Sequence, residues 1–199
     1  MENKITLFSR NQKPFGKTWE RWTREWWQWL LSIPKEINPA NSRVYQNFVI
    51  NNNVIFLAGV DSNTGPVERT IIIPSQKAIL FPIINFITSY LEDPEIRSDE
   101  DLISFTKSNI DDIRIKQARI DEININADYE HRVFSNIFDL YLPPNNLYDT
   151  ESGLTKACAD GYWCFLKSLS PGKHKIQTSG SCLAGRVKIN VTYNLNVTK

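Results

Sequence analysis

Histidine and cysteine are scarce in this chain of 199 residues, which has two histidines and three cysteines. Structural zinc sites usually pair ligands about two to four residues apart, whereas the closest pair here, Cys158 and Cys164, is six positions apart. A zinc site made by these two with His174 and Cys182 therefore lacks the usual spacing. We expect no metal, and we expect the thiols to be reduced and buried. A Cys164–Cys182 disulfide is the alternative in an oxidising compartment.

Long apolar runs are also missing. The longest run that we find, residues 78–84, has seven residues and includes Pro82, whereas a transmembrane helix needs about 20. The first ten residues carry Glu2, Lys4 and Arg10 and lack the apolar region of a signal peptide. We therefore expect no transmembrane segment and a cytoplasmic protein, with export the less favoured alternative.

No sign of charge is in excess, because 23 basic residues face 22 acidic ones and the formal net charge is +1. This balance lacks the basic footprint of a nucleic-acid-binding protein. The eight glycines form no dinucleotide-binding fingerprint, so we expect neither nucleic acid nor a cofactor. Hydrophobic residues at 41% and charged residues at 23% are typical of a globular protein, here expected to be a single domain over residues 1–199.

Tryptophan is the residue that is present in unusual density, since five of the six lie between positions 19 and 29. Thr18 is a suitable N-cap and Pro34 ends the pattern. The spacing predicts a helix over residues 18–33 with one apolar stripe, which contains Trp19, Trp22, Trp26, Trp29, Leu30 and Ile33. Trp27 widens the stripe on one side, so it is the indole that we expect to remain exposed.

Short apolar segments separated by turn residues follow this helix and predict strands. We place them at residues 44–50, 54–58, 67–73, 77–85, 118–125, 131–142, 155–167, 173–178 and 187–198. The turn at residues 170–172 predicts that the strands around it form a hairpin. A second helix near residues 98–116 begins at a Ser98 cap. The pattern indicates a mainly β (α+β) fold: an antiparallel β-sandwich or jelly-roll-like body over residues 44–198, with the N-terminal helix packed on it.

Three segments together resemble a family of uncharacterised archaeal and bacterial proteins with an N-terminal tryptophan-rich helix. They are residues 16–34, residues 77–85, and the stretch from Asp160-Gly161-Tyr162-Trp163 to Pro171-Gly172-Lys173-His174. The resemblance covers most of the chain in outline. It implies no assigned activity, cofactor or catalytic residue.

The sequence contains no complete catalytic motif, and the catalytic residues are therefore unknown. No nucleophile elbow of the Gly-x-Ser-x-Gly type is present. Asp160, His174 and His131 are the residues that an enzyme of unrecognised type would use near a pocket. A hydrogen-bonded, partly buried histidine is the simpler interpretation of His174.

Binding is the function class that the composition favours, because tryptophan is enriched at binding hot spots. Trp27, Tyr162, Trp163 and His174 are the candidate contacts with a ligand or partner. We expect a non-enzymatic binding or interaction module for a protein, small-molecule or glycan partner. The alternatives are the unrecognised enzyme and a self-assembling structural subunit, which would be a homo-oligomer.

Overall fold

The computed structural model describes residues 5–41, 49–50, 53–60, 65–182 and 188–199. Its two α-helices are α1 (Trp19–Leu31) and α2 (Asp99–Asp111). Short 3-10 turns occur at Pro14–Gly16, Lys35–Ile37 and Tyr129–His131. The strands in chain order are β1 (Val49–Ile50), β2 (Val54–Phe56), β3 (Val67–Pro74), β4 (Ala78–Ser89), β5 (Ile113–Ile120), β6 (Ile123–Asn126), β7 (Phe138–Leu142), β8 (Gly153–Leu166), β9 (Gly172–Cys182) and β10 (Lys188–Thr198).

These strands form two five-stranded sheets that share an apolar core. The first sheet has the order β1-β2-β4-β8-β7 and the second has the order β3-β10-β9-β5-β6. Most neighbours are antiparallel, but β2 pairs with β4 and β3 pairs with β10 in parallel. The mainly β, sandwich-like fold with a tryptophan-rich N-terminal helix is confirmed, with one parallel pair in each sheet that the expected antiparallel body does not have.

The two sheets differ in how many of their faces are buried. Strand β3 alternates buried and exposed residues, and the described part of β10 nearly does so, because the second sheet has one face in the core. In contrast, the first seven residues of β4 and the last ten of β8 are all buried. The first sheet therefore lies in the middle of three layers, between the second sheet and α1.

Helix α1 covers the outer face of the first sheet through its indoles. The Thr18 hydroxyl caps the helix by accepting a hydrogen bond from the Arg21 N–H, as the sequence predicts. The Trp22 ring meets Phe56 of β2 and Phe165 of β8 edge to face, at centroid distances of 6.1 and 5.6 Å. This geometry suits the opposite charges on the face and edge of aromatic rings.

Several predicted boundaries differ from the structure. Helix α2 ends at Asp111, and the period-two pattern that begins at Ile113 forms β5 instead of continuing the helix to residue 116. The predicted strand over residues 118–125 is the β5–β6 hairpin, which turns at Asp121, a residue with φ of 51°. The predicted strand over residues 131–142 is shorter, and within it the regular strand is β7.

The hairpin expected around residues 170–172 is wrong. Strand β8 belongs to the first sheet and β9 to the second, so this turn carries the chain from one sheet to the other. The predicted strand over residues 44–50 lies outside the described residues except for β1. Within the described part of the chain, no helix is long and apolar enough to cross a membrane.

Candidate ligand-binding site

A cavity of about 230 Å³ lies beside α1, which we call the indole cavity. Helix α1 contributes Trp26, Trp27 and Leu30, and β4 contributes residues 85–87. The remaining wall comes from loops and from the start of β10: Ala40, Gly59, Val60, Glu92, Leu147, Tyr148 and Ile189. Aromatic and aliphatic side chains dominate this lining, with a small number of polar groups, which is the usual composition of a ligand pocket.

A β-bulge places Asn85 on the side of the first sheet that faces α1. The register between β4 and β8 shifts between Pro82 and Ile84, so that Ile83 is an extra residue. Ile83 and Ile84 consequently both belong to the core between the sheets, and the residues after them change faces. Asn85 pairs with Gly161, where a Cβ atom would lie 2.6 Å from the Cβ of Asn85. Glycine at position 161 is therefore what permits this close approach.

Two buried hydrogen-bond donors among the lining residues have no partner. The indole nitrogen of Trp27 and the side-chain amide nitrogen of Asn85 are both shielded from solvent, and neither forms a hydrogen bond in the described part of the protein. An unsatisfied buried donor destabilises the folded state by about 1–3 kcal/mol. Both donors belong to residues that line the indole cavity.

Glu92 is the one formally charged side chain among the residues that line the indole cavity. Burial, and secondarily the charge of the adjacent Asp93, raises the pKa of Glu92 to about 8. Ion pairs among the described residues do not include Glu92. The cavity lining therefore contains a carboxyl group that has no cationic partner among the described residues.

A buried arginine holds one wall of the indole cavity. The Arg69 guanidinium donates to the Ala58 carbonyl oxygen at 2.9 Å, to the Tyr193 hydroxyl at 2.7 Å, and to the Pro39 carbonyl oxygen. Tyr193 in turn donates to the Ala58 oxygen. Because Ala58 and Pro39 each precede a lining residue, these bonds fix the backbone on that side.

Two buried asparagines hold other parts of the wall. Asn38 donates to the carbonyl oxygens of Leu30 and Ile33 at 2.7 and 3.0 Å and so closes the end of α1. Asn146 accepts hydrogen bonds from the backbone N–H groups of Tyr148 and Thr150. Asparagine side chains commonly organise turns in this way, and here they position the loop that carries Leu147 and Tyr148.

The structure distributes the four predicted contact residues over different places. Trp27 is 6% exposed, so the expectation of an exposed ring is wrong: the ring packs against Trp26 at 4.9 Å, edge to face. It nevertheless lines the indole cavity. Trp163 is buried beneath α1 and lines a separate cavity of about 210 Å³ beside His131.

Tyr162 and His174 lie away from the indole cavity. The Tyr162 hydroxyl accepts a hydrogen bond from Lys116 at 3.1 Å. His174 contacts an Asp121 carboxylate oxygen at 2.8 Å through Nδ1 and the Ser170 carbonyl oxygen at 3.0 Å through Nε2. A larger, open depression of about 790 Å³ lies beside His174 and Asp121. Both imidazole nitrogens of His174 already contact hydrogen-bond partners within the protein.

Asp160 and His131 have structural partners of their own. The Asp160 carboxylate is buried and accepts two or more hydrogen bonds from the Arg132 guanidinium, the shortest at 2.6 Å. Burial raises the pKa of Asp160, and Arg132 opposes that rise. His131 contacts Asp128 at 2.8 Å within a 3-10 turn. These contacts anchor the segment after residue 128 to β8 and α2.

Two of the cysteines are buried free thiols, as the sequence predicts. Burial raises the pKa of Cys158 to about 11 and the pKa of Cys164 to about 12. Thiols with such pKa values remain protonated at neutral pH and are poor nucleophiles. The side chain of Cys182 lies outside the described residues, so the alternative Cys164–Cys182 pairing stays a prediction.

No protein-family model matches this chain, and no curated protein matches it either. One solved structure with some likeness is "Structure of PbICP-C in complex with falcipain-2". It is 10% identical, and the alignment covers 73% of this chain and 99% of that one at a TM-score of 0.27. A TM-score this low supports no inference about the present chain. The resemblance to the archaeal and bacterial family stays a prediction.

Sequence reasoning missed Asn85, Glu92 and Arg69 as parts of the site. A signal was present for Arg69, because it occupies an inward position of β3 between Val67 and Ile71. Asn85 interrupts an apolar run, which is a weaker signal. The sequence has no such signal for Glu92, because the cavity that Glu92 lines is formed by segments that are distant in sequence.

Replacing Asp160 by alanine tests its structural role. We expect Asp160→Ala to lower the free energy of unfolding by about 3 kcal/mol, because the change leaves a partly buried guanidinium without its main partner. Asp111→Ala is the matched control, since Asp111 also pairs with Arg132 but its side chain is 63% exposed. The control should cost less than about 1 kcal/mol. Equal losses in urea denaturation would contradict this assignment.

Replacing Glu92 by glutamine tests its burial through the pH dependence of stability. The pKa of Glu92 is higher in the folded protein than its ordinary value, so the free energy of unfolding should fall as pH rises from about 4.5 to about 8. Glu92→Gln lacks this loss, and its stability relative to wild type should grow by up to about 1.4 kcal/mol per pH unit in that window. The exposed control Glu95→Gln should behave like wild type. A constant difference between Glu92→Gln and wild type in urea titrations across this window would refute the burial.

Proposed function

We propose that this protein is a binding module that holds a small, mainly apolar molecule in the indole cavity and performs no chemistry on it. The ligand would carry an oxygen atom that accepts hydrogen bonds from Trp27 and Asn85. This proposal commits to the small-molecule form of the partner predicted from the sequence.

The observation that carries the proposal is the pair of unsatisfied donors among the residues that line an otherwise apolar cavity. The volume also supports it. An engineered apolar cavity of about 150 Å³ binds benzene, so a cavity of about 230 Å³ has room for a substituted aromatic ring.

The partners of the titratable residues favour binding over catalysis. A general acid or base must reach the substrate directly or through one water molecule. Asp160 is occupied by Arg132, and His174 is occupied by Asp121 and Ser170. The alternative of an enzyme that uses Asp160 and His174 therefore has less support than a binding module.

A self-assembling subunit is the second candidate, and one surface feature favours it. Tyr141 on β7 and Leu154 on β8 are directly paired, and they are 58% and 73% exposed. Strand β7 is the last strand in the described order of the first sheet. Exposed apolar residues at a sheet edge are a common route to pairing between copies.

The Trp27→Phe variant tests the binding site, because it removes the indole N–H and keeps an aromatic ring. With 4-(2-hydroxyethyl)phenol as the probe, we expect calorimetry to show wild-type binding and about a fivefold to tenfold weaker affinity for the variant, as for one lost hydrogen bond.

Trp163→Phe is the matched control for this experiment. Its indole nitrogen is also buried and has no partner among the described residues, but Trp163 does not line the indole cavity. Its affinity for the probe should equal that of the wild type. Equal weakening in both variants, or no binding by the wild-type protein, would reject the indole cavity as the site.

Self-assembly is tested by light scattering over a range of protein concentrations. If the sheet edge joins copies, the wild-type mass should rise with concentration and Leu154→Asn should remain a monomer. Ile123→Asn, an exposed position on the second sheet, should assemble like the wild type. A wild-type protein that is monomeric throughout eliminates this candidate.

A further inference from the structure

We propose that the ligand of the indole cavity is a small aromatic amine, whose protonated amino group pairs with the Glu92 carboxylate while its oxygen accepts hydrogen bonds from Trp27 and Asn85. This inference rests on the function proposed above and adds the charge of the ligand.

The position of Glu92 favours a cationic ligand. It lines the indole cavity and forms no ion pair among the described residues. Its carboxylate is an acceptor, whereas the other two polar groups of the lining that lack partners, on Trp27 and Asn85, are donors. A ligand that satisfies all three must offer both an acceptor and a donor, and a positively charged donor also balances the charge of the Glu92 carboxylate.

The aromatic lining of the indole cavity also favours a cationic ligand. Four aromatic side chains line the cavity together with Glu92, namely Trp26, Trp27, Phe86 and Tyr148. The faces of aromatic rings attract cations, and sites for ammonium groups characteristically combine several rings. The same rings also provide the apolar contact that an aromatic ligand needs.

The charge state of Glu92 couples this binding to pH. The titratable groups of the lining are Glu92 and Tyr148, and the residues contributed by α1 and β4 carry no charge. Asp93 is the nearby charge that acts on Glu92, and together with burial it raises the pKa of Glu92 to about 8. Near neutral pH, Glu92 must therefore release its proton to the solvent when the cation binds.

Calorimetry with two probes that differ in one group tests the proposal. The probes are 4-(2-aminoethyl)phenol, which is a cation near neutral pH, and 4-(2-hydroxyethyl)phenol, which is neutral and of nearly the same size. At a pH of about 8.5 we expect the wild-type protein to bind the amine about tenfold more tightly, or better, from the ion pair and the cation–π contacts. Below the pKa of Glu92 the affinity for the amine should fall by up to about tenfold per pH unit, and that for the alcohol should stay nearly constant.

The Glu92→Gln variant and a count of protons complete the test. The variant should lose most of the preference for the amine, keeping only the part due to cation–π contacts, and its affinity for either probe should change little with pH. Titration in buffers of different ionisation enthalpy at a pH of about 7 should show that amine binding to the wild type releases close to one proton, and that amine binding to the variant releases none.

The outcomes separate this inference from the function that it rests on. If the wild-type protein binds the amine and the alcohol alike, or if Glu92→Gln keeps the full preference for the amine and its pH dependence, the inference is wrong. Binding of the alcohol that is weakened by Trp27→Phe would then still support the indole cavity as the site. If the wild type binds neither probe, both proposals fall.

Discussion

Burial of the first sheet on both of its faces is the constraint on which the rest of this structure depends. The second sheet covers one face, and α1 with its neighbouring loops covers the other. A short helix can cover much of that face only with large side chains, and tryptophan has the largest of them. The indole cavity lies where Trp26 and Trp27 meet loops rather than strands.

Buried polar groups keep the cavity walls in place. Close packing normally removes empty space from protein interiors, so a cavity persists only when its walls cannot move inward. Arg69, Asn38 and Asn146 bind backbone atoms of three different segments around the indole cavity. Satisfied buried networks of this kind rigidify a structure. The hydrogen bonds of these three side chains therefore hold the described backbone around the indole cavity in place.

The sequence predicted those parts of the fold that depend on local pattern. The tryptophan spacing and the Thr18 cap predicted α1, and strict alternation predicted β10. Sheet membership was not predictable in this way, because a turn such as residues 170–172 has the same sequence pattern whether it joins two strands of one sheet or crosses between sheets.

The candidate site was harder to predict than the fold. Trp27 was identified, but its burial was not, since the cavity that it lines is completed by Leu147 and Tyr148, more than a hundred positions away in sequence. The bulge that turns Asn85 toward α1 likewise depends on a register with β8 that the pattern of β4 alone does not determine.

Three indole nitrogens of α1 bind the backbone of neighbouring segments. Trp19, Trp22 and Trp26 donate to the carbonyl oxygens of Ser9, Pro14 and Leu57 at 3.2, 2.9 and 3.0 Å. Each of these bonds ties α1 to a neighbouring segment, so these three rings both fill space and orient the helix. Trp27 lies on the same helix and is buried to a similar degree, yet its N–H has no acceptor in the described part of the chain. The indole nitrogen of Trp163 also lacks an acceptor in that part of the chain, but Trp163 does not line the indole cavity. The position of Trp27 beside the cavity, together with its unsatisfied donor, is what supports the binding proposal.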